Sequence, residues 1–224
     1  MIGTVVNTAT VLGGSVIGLA IGRRIPENLK TLLMQTLGLT VLVIGIKMAL
    51  TGTTPLVTLA CLLIGAVIGE LLAIEDWLDR LGWRLKRRFA GDSARFVDGF
   101  VSATLLFLTG AMTIVGSIQD GVSHDPSTLY LKAMLDGIAA ITLASAYGVG
   151  VAFSAGMVLI VQGGLTLLAA SLGFLQAPDV LSSVTAVGGI VIVAIGINLL
   201  ELKRVRVGNL IPGILLAIVW PLVF

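Results

Sequence analysis

Residues 55–90 read PLVTLACLLIGAVIGELLAIEDWLDRLGWRLKRRFA, and two kinds of helix follow one another in them. From Pro55 to Ala73 the one charged residue is Glu70, so this segment has the length and apolarity of a bilayer-crossing helix. Proline at the first helical position removes an N–H that has no intrahelical partner anyway. From Ile74 to Ala90 the texture changes. Ile74, Trp77, Leu78, Leu81, Leu85 and Phe89 recur at helical spacing, with Arg80, Arg84, Arg87 and Arg88 between them. That pattern predicts an amphipathic helix lying in the headgroup plane. It reads first as a positively charged anchor that fixes topology, and otherwise as a regulatory or partner-binding element.

The rest of the chain repeats the first texture. Charged residues make up 12% of the 224 residues, against about 25% in soluble domains. They cluster in short stretches between long uncharged ones. The runs predict an all-α, polytopic membrane protein, one domain over residues 1–224, with spans at 3–22, 30–50, 55–73, 96–118, 129–148, 151–173, 181–200 and 208–224. Pro26 falls in the first loop, and Pro178 precedes the seventh span. Pro212 sits in the first turn of the eighth. Only Tyr147-Gly148-Val149-Gly150 separates spans five and six, so that turn must be tight. The first apolar run has Arg23 and Arg24 after it rather than a basic stretch before it, which fits a retained span better than a secretory signal.

Counting Lys and Arg by loop tests the model. Arg23, Arg24 and Lys30 lie in the first loop, Arg80, Arg84, Lys86, Arg87, Arg88 and Arg95 in the third, and Lys203, Arg204 and Arg206 in the seventh. Only Lys47 and Lys132 fall on the alternate side, with Asp120, Asp125 and Asp179. The positive-inside rule then makes the odd-numbered loops and the 74–90 helix cytoplasmic and both termini external. Cys61 has no second cysteine to pair with, and His124 is the sole histidine, so neither a disulfide nor a zinc site is expected. The basic residues flank spans and do not suggest nucleic-acid binding.

Two self-similarities appear. Val11-Leu12-Gly13-Gly14 resembles Val161-Gln162-Gly163-Gly164, and Gly38 with Ile44-Gly45-Ile46 resembles Gly189 with Ile195-Gly196-Ile197. Asp98-Gly99, Thr104-Leu105 and Gly110 recur as Asp136-Gly137, Thr142-Leu143 and Gly148, always 38 residues later. Each partner is an odd number of spans from its mate and so crosses in the opposite direction. That is the mark of an inverted-topology repeat, although glycine-rich membrane helices also produce chance matches.

Ionisable groups inside spans cost about 2.5–3.5 kcal/mol each on insertion scales, so they are functional candidates by default. Asp98 and Asp136 head the candidates, as cation-binding or proton-relaying carboxylates; the alternative is that each favours a helix dipole. The run from Thr109 to Gly121 carries Gly110, Gly116 and Gly121 with Thr113, Ser117, Gln119 and Asp120. Glycine weakens a helix by about 1 kcal/mol, and broken helices at membrane depth occur inside protein or beside water. Close packing through Gly110 and Gly116 is the competing account. Thr104, Thr142 and Gln162 complete the expected solute or ion path. Asn7, Gln35, Thr36, Asn198 and Asn209 read as interhelical hydrogen-bonding groups, and Lys47 as a snorkelling residue. No nucleotide-binding loop, nucleophile set or haem motif is present, and no cofactor is expected.

Several segments carry a family resemblance. They are Ile2-Gly3-Thr4-Val5-Val6-Asn7, Met34-Gln35-Thr36-Leu37-Gly38-Leu39, Gly69-Glu70 with Ile74-Glu75, Gly110-Ala111-Met112, Gly116-Ser117-Ile118-Gln119-Asp120-Gly121, Leu135-Asp136-Gly137, Gln162-Gly163-Gly164 and Val207-Gly208-Asn209. From end to end the chain resembles the bacterial family catalogued as domain of unknown function 554, inner-membrane proteins often given a transport label. The resemblance implies a bacterial cytoplasmic membrane location and supplies no substrate. The expected function is secondary transport or facilitated permeation of a small solute or ion. A membrane scaffold or partner subunit is the alternative, and an intramembrane enzyme trails for want of a nucleophile or metal cluster. The expected partners are the bilayer and the solute; a homo-oligomer is left open.

Overall fold

The structure is a computed structural model and describes residues 1–22, 24–52, 54–89, 95–108, 111–169, 174 and 177–223. Gly110, Thr109 and Arg23 lie outside them. Among the described residues all regular structure is helical. The helices are α1 (Ile2–Gly22), α2 (Glu27–Ala49), α3 (Pro55–Leu72), α4 (Ile74–Phe89), α5 (Phe96–Leu108), α6 (Ala111–Ile118), α7 (Ser127–Tyr147), α8 (Gly150–Leu167), α9 (Pro178–Leu199) and α10 (Ile211–Val223). A π-helical turn, Gln119–Ser123, extends α6, and a 3-10 turn, Val207–Leu210, precedes α10.

Six of these helices (α1, α2, α3, α7, α8 and α9) are long and apolar enough to cross a membrane. The fourth expected span is not one straight helix. It is broken between Leu108 and Ala111, and its two parts, Phe96–Leu108 and Met112–Val122, meet at a bend of 58°. The break falls in the glycine-rich run, where helix propensity is lowest. Taken together, the two parts have the length and apolarity of a seventh crossing. The eighth expected span is a shorter apolar helix over Val207–Pro221. Its first four residues form the 3-10 turn, so α10 proper has only 13 residues.

Small residues set the packing. A Cβ on Gly14 would lie 2.5 Å from the Gly137 carbonyl oxygen, and one on Gly18 would lie 2.3 Å from that of Ile141. The two positions advance together along α1 and α7, which therefore run parallel in backbone contact. α2 and α9 run antiparallel and touch at two glycine pairs. A Cβ on Gly45 would lie 2.8 Å from the Gly189 oxygen, and one on Gly189 would lie 2.7 Å from the Gly45 oxygen. Gly38 and Gly196 meet in the same reciprocal way, at 3.4 and 3.1 Å. α3 packs on α10, and α5 on α8. Outward-facing Leu39, Val43, Leu56, Leu63 and Val67 of α2 and α3 are more than half exposed, as lipid-facing residues would be. The turn between α7 and α8 is made by Gly148, whose φ of 83° suits a residue without a Cβ.

α4 has the expected amphipathic character. Its Leu78 and Gly82 are buried, with Gly82 against Val97 and Phe100 of α5. Trp77 and Trp83 point outward, and Lys86 lies 4.8 Å over the Trp83 ring.

Candidate functional site

The buried face of α1 carries Gly3, Thr4, Asn7, Val11, Gly14, Ser15, Gly18 and Gly22. These recur every three or four residues, so one stripe holds both the glycines that touch α7 and the polar side chains beside them. The close approach at Gly14 and Gly18 brings Asn7 to Asp136, with Asn7 Nδ2 donating to Asp136 Oδ2 at 3.0 Å. The same amide donates to Gln162 Oε1 at 3.0 Å, which ties in α8. Lys132 forms a short ion pair with Asp136 one turn away on α7, both side chains being almost wholly buried.

The hydrogen bonds in this cluster have a direction. Thr166 Oγ1 donates to the Gln162 carbonyl at 2.9 Å and is therefore the acceptor in its 3.1 Å contact with Thr4 Oγ1. Thr4 in turn accepts from Gln162 Nε2 at 3.2 Å. Gln162 Oε1 accepts from Asn7, and Asn7 and Lys132 both donate to Asp136. Asn7 thus donates in two directions, to the Asp136 carboxylate on α7 and to a run of hydrogen bonds that passes through Gln162 of α8 and Thr4 to Thr166. One atom is left over. Asn7 Oδ1 is buried and has no hydrogen-bond partner in the protein. A buried acceptor without a donor costs about 1–3 kcal/mol.

A second set of polar groups surrounds the α6 end. Asp120 is buried; it accepts from the Gly3 N–H at 3.0 Å and lies 2.9 Å from the terminal amine of Met1. Gln119 Oε1 accepts from Thr128 at 2.7 Å. Thr113 donates to the Phe107 carbonyl at 3.1 Å, across the break between α5 and α6, and so satisfies a backbone group that the broken helix leaves free. Gly116 sits against Leu129. Ser117 and Thr104 are buried with unpartnered hydroxyls, and the Thr142 hydroxyl bonds back to Ile138 within its own helix.

Asp98 lies elsewhere. It lines a recess of about 320 Å³ at the Tyr147 end of α7, with Glu75, Asp79, Arg95, Asn198, Glu201, Lys203 and Arg204. A second recess, about 130 Å³, shares Arg95, Tyr147 and Glu201 with it. Burial pushes the Glu75 carboxyl up, against the opposing effect of the N–H bond it accepts from Gly208 at 2.6 Å. Burial likewise raises Asp79, which Arg204 partly offsets from 3.5 Å. The floor of this region is a knot of backbone and side chain. The Glu75 N–H donates to Asn209 Oδ1 at 2.8 Å, Asn209 Nδ2 donates to Glu70 at 2.7 Å, and Arg206 pairs with Glu70. The Gly69-Glu70, Ile74-Glu75 and Val207-Gly208-Asn209 segments therefore meet in space.

Of the residues expected to form a path, Asp136 and Gln162 come together through Asn7. Thr113, Gly116, Ser117, Gln119 and Asp120 lie on α6 and its π-helical extension. Asp98 stands apart from Asp136, since the 11 residues from Asp136 to Tyr147 span about 16 Å of helix. Among the described residues, no group of three His, Cys, Asp or Glu side chains is placed to hold a metal ion. Sequence reasoning missed Lys132 as a site residue, along with Thr4 and Thr166. The signal for Lys132 was there, since it stands one helical turn before Asp136 in an otherwise uncharged stretch.

The match to known families covers the same segments. A family model described as "Protein of unknown function (DUF554)" matches residues 2–222. This chain belongs to the DUF554 family. The DUF554 protein is 30% identical over 221 residues to "Uncharacterized membrane protein YdfK" of Bacillus subtilis (strain 168), covering 96% of this chain and 93% of the relative. It is also 30% identical over 223 residues to "Uncharacterized protein YqgA" of Escherichia coli (strain K12), covering 97% and 94%. No solved structure gives a significant match to this DUF554 chain.

Proposed function

We propose that this protein is a path for a small solute or ion across the bacterial cytoplasmic membrane, acting as a secondary transporter or facilitated permeation pathway rather than as an enzyme. The observation that carries the reading is the Lys132–Asp136 pair, buried with Asn7 and Gln162 among three crossing helices. Placing charges at that depth is costly, and the glycine contacts already hold α1 to α7 without them. Two further features support it. The crossing made by α5 and α6 is broken between Leu108 and Ala111, and a polar recess stands at the Tyr147 end of α7.

The positive-inside rule puts that recess, α4 and the Lys- and Arg-rich loops in the cytoplasm, with both termini outside. An inverted repeat fits the same arrangement. Exchanging α1 with α8, α2 with α9 and α5 with α7 carries the α1–α7 packing onto α8–α5 and returns the α2–α9 pair to itself. The reciprocal glycine contacts support such an exchange. The test is flux. Purified protein in vesicles loaded with a pH- or ion-sensitive dye should pass at least one of a panel of small ions and organic solutes faster than empty vesicles do, and Asp136→Asn should not. A correctly folded protein that passes none of them, in either direction, would sink the reading.

A further inference from the structure

We propose that the Lys132–Asp136 pair with Asn7 is a proton-loading site, so that this protein moves its solute together with protons. The inference rests on the transport reading above and names the ion that drives it. A hydronium ion gives its proton to the Asp136 carboxylate: its O–H bond breaks, an O–H bond forms on the carboxylate, water leaves, and the ion pair becomes a hydrogen bond from the Lys132 ammonium to a neutral acid.

The geometry supplies what that proton needs. A carboxylic acid carries a donor that a carboxylate lacks, and the donor must find an acceptor when buried. Asn7 Oδ1 is such an acceptor. It is wholly buried, it has no partner, and it belongs to the amide whose Nδ2 already donates to Asp136 at 3.0 Å. An amide and a carboxylic acid can each donate to and accept from the other, whereas an amide and a carboxylate can bond in one direction only. The protonated site therefore satisfies a polar group that the ionised site leaves orphaned. The other members of the cluster offer no such acceptor, because their hydrogen bonds are already committed, Asn7 donating to Gln162, Gln162 to Thr4, Thr4 to Thr166 and Thr166 to the Gln162 carbonyl.

The titratable surroundings are few. α1, α6 and α8 carry no ionisable side chain. Asp120 of the π-helical turn and the Met1 amine, at the start of α1, pair with each other. His124 beyond that turn is exposed, as are Tyr130 of α7 and Lys47 of α2. Glu27 of α2 and Asp98 of α5 reach α7 only at its Tyr147 end. Protonation of the pair is thus governed by Lys132, Asp136 and their amide neighbours.

Infrared difference spectroscopy on the protein reconstituted in lipid tests the site directly. Acidification should raise a carboxylic-acid carbonyl band that Asp136→Asn removes and Asn7→Leu shifts, because the leucine takes away the acceptor. Lys132→Met removes the cation that favours the carboxylate, so the band's midpoint should move to higher pH by a unit or more, roughly tenfold in proton affinity. If Asp136→Asn does not fold, the band shift in Asn7→Leu carries the test. A wild-type spectrum with no such band over the whole pH range in which the protein stays folded overturns the proposal, as does a band unchanged in all three variants. The two readings fail separately. A titrating Asp136 in a protein that passes no solute or proton in dye-loaded vesicles would leave the site standing and remove transport. Solute flux unaffected by a pH gradient or by Lys132→Met would do the reverse.

Discussion

Replacing Gly189 with alanine puts the α2–α9 contact under direct strain. The new methyl would lie 2.3 Å from the Ala49 nitrogen, 2.7 Å from the Gly45 oxygen and 2.8 Å from the Met48 carbonyl carbon. All three are backbone atoms and cannot rotate away, so the helices must separate by about 1 Å to restore ordinary contact, at an overpacking cost of about 1–3 kcal/mol. Alanine also returns about 1 kcal/mol of helix propensity. Gly156→Ala serves as the control, since a Cβ there meets nothing within 4 Å. The propensity gain cancels between the two variants, leaving the steric cost of about 1–3 kcal/mol, which is several degrees in Tm. Cys61 provides the assay. It is the sole cysteine and is buried, so a thiol-reactive fluorogenic dye reports unfolding of the detergent-solubilised protein. A Gly189→Ala protein that melts at or above Gly156→Ala would refute the close contact and the packing built on it.

Three other outcomes follow from the structure. Lys132→Met alone should destabilise the protein by about 3–5 kcal/mol by leaving Asp136 uncompensated, while Lys132→Met with Asp136→Leu recovers most of that, as read in the same melting assay; equal losses in the single and double variants would count against a buried pair. Glu75 is held above its ordinary value of 4.5 by burial, so the folded state binds its proton more tightly than the unfolded state does. Its contribution is full at low pH and is lost as pH rises above about 4.5, so wild type should lose Tm relative to Glu75→Gln over that rise, and a pH-independent gap between them would contradict this. In a Cys61→Ala background, cysteines introduced at positions 86 and 123 should be labelled by impermeant reagents from opposite sides of the membrane; labelling of both from one side would overturn the topology.

The helical membrane fold was legible because uncharged runs of span length have few other uses, and α4 because its arginines and leucines alternate at helical spacing. The fourth span was legible only in part. Its glycines and polar groups marked a weak helix, but nothing in composition fixes the angle of 58° at which its parts meet. The last span starts later than 208, because Gly208 and Asn209 are committed to Glu75 and Glu70 and lie in a 3-10 turn that the apolar run 208–224 does not reveal. At the candidate site, Asp136 and Gln162 stood out as polar groups in apolar runs. Their junction through Asn7 did not, since it depends on how closely the α1 stripe approaches α7, and that distance is a property of packed glycines. Asp98 and Asp136 look equivalent as Asp-Gly pairs, yet one is exposed in a recess and the other buried against lysine, because their neighbours come from different helices.

Between Tyr147 and Gly150 only Gly148 and Val149 join α7 to α8. A connection of two residues limits how far the two helices can slide past one another at this corner, which is the cytoplasmic one in the proposed orientation. α1 is held to α7 by Gly14 and Gly18, and α5 meets α8 where the carbonyl of Phe96 faces Gly150. Away from the corner it is Asn7 of α1 that joins the two helices, through Asp136 on one and Gln162 on the other, so the polar cluster spans the gap that the short turn leaves open.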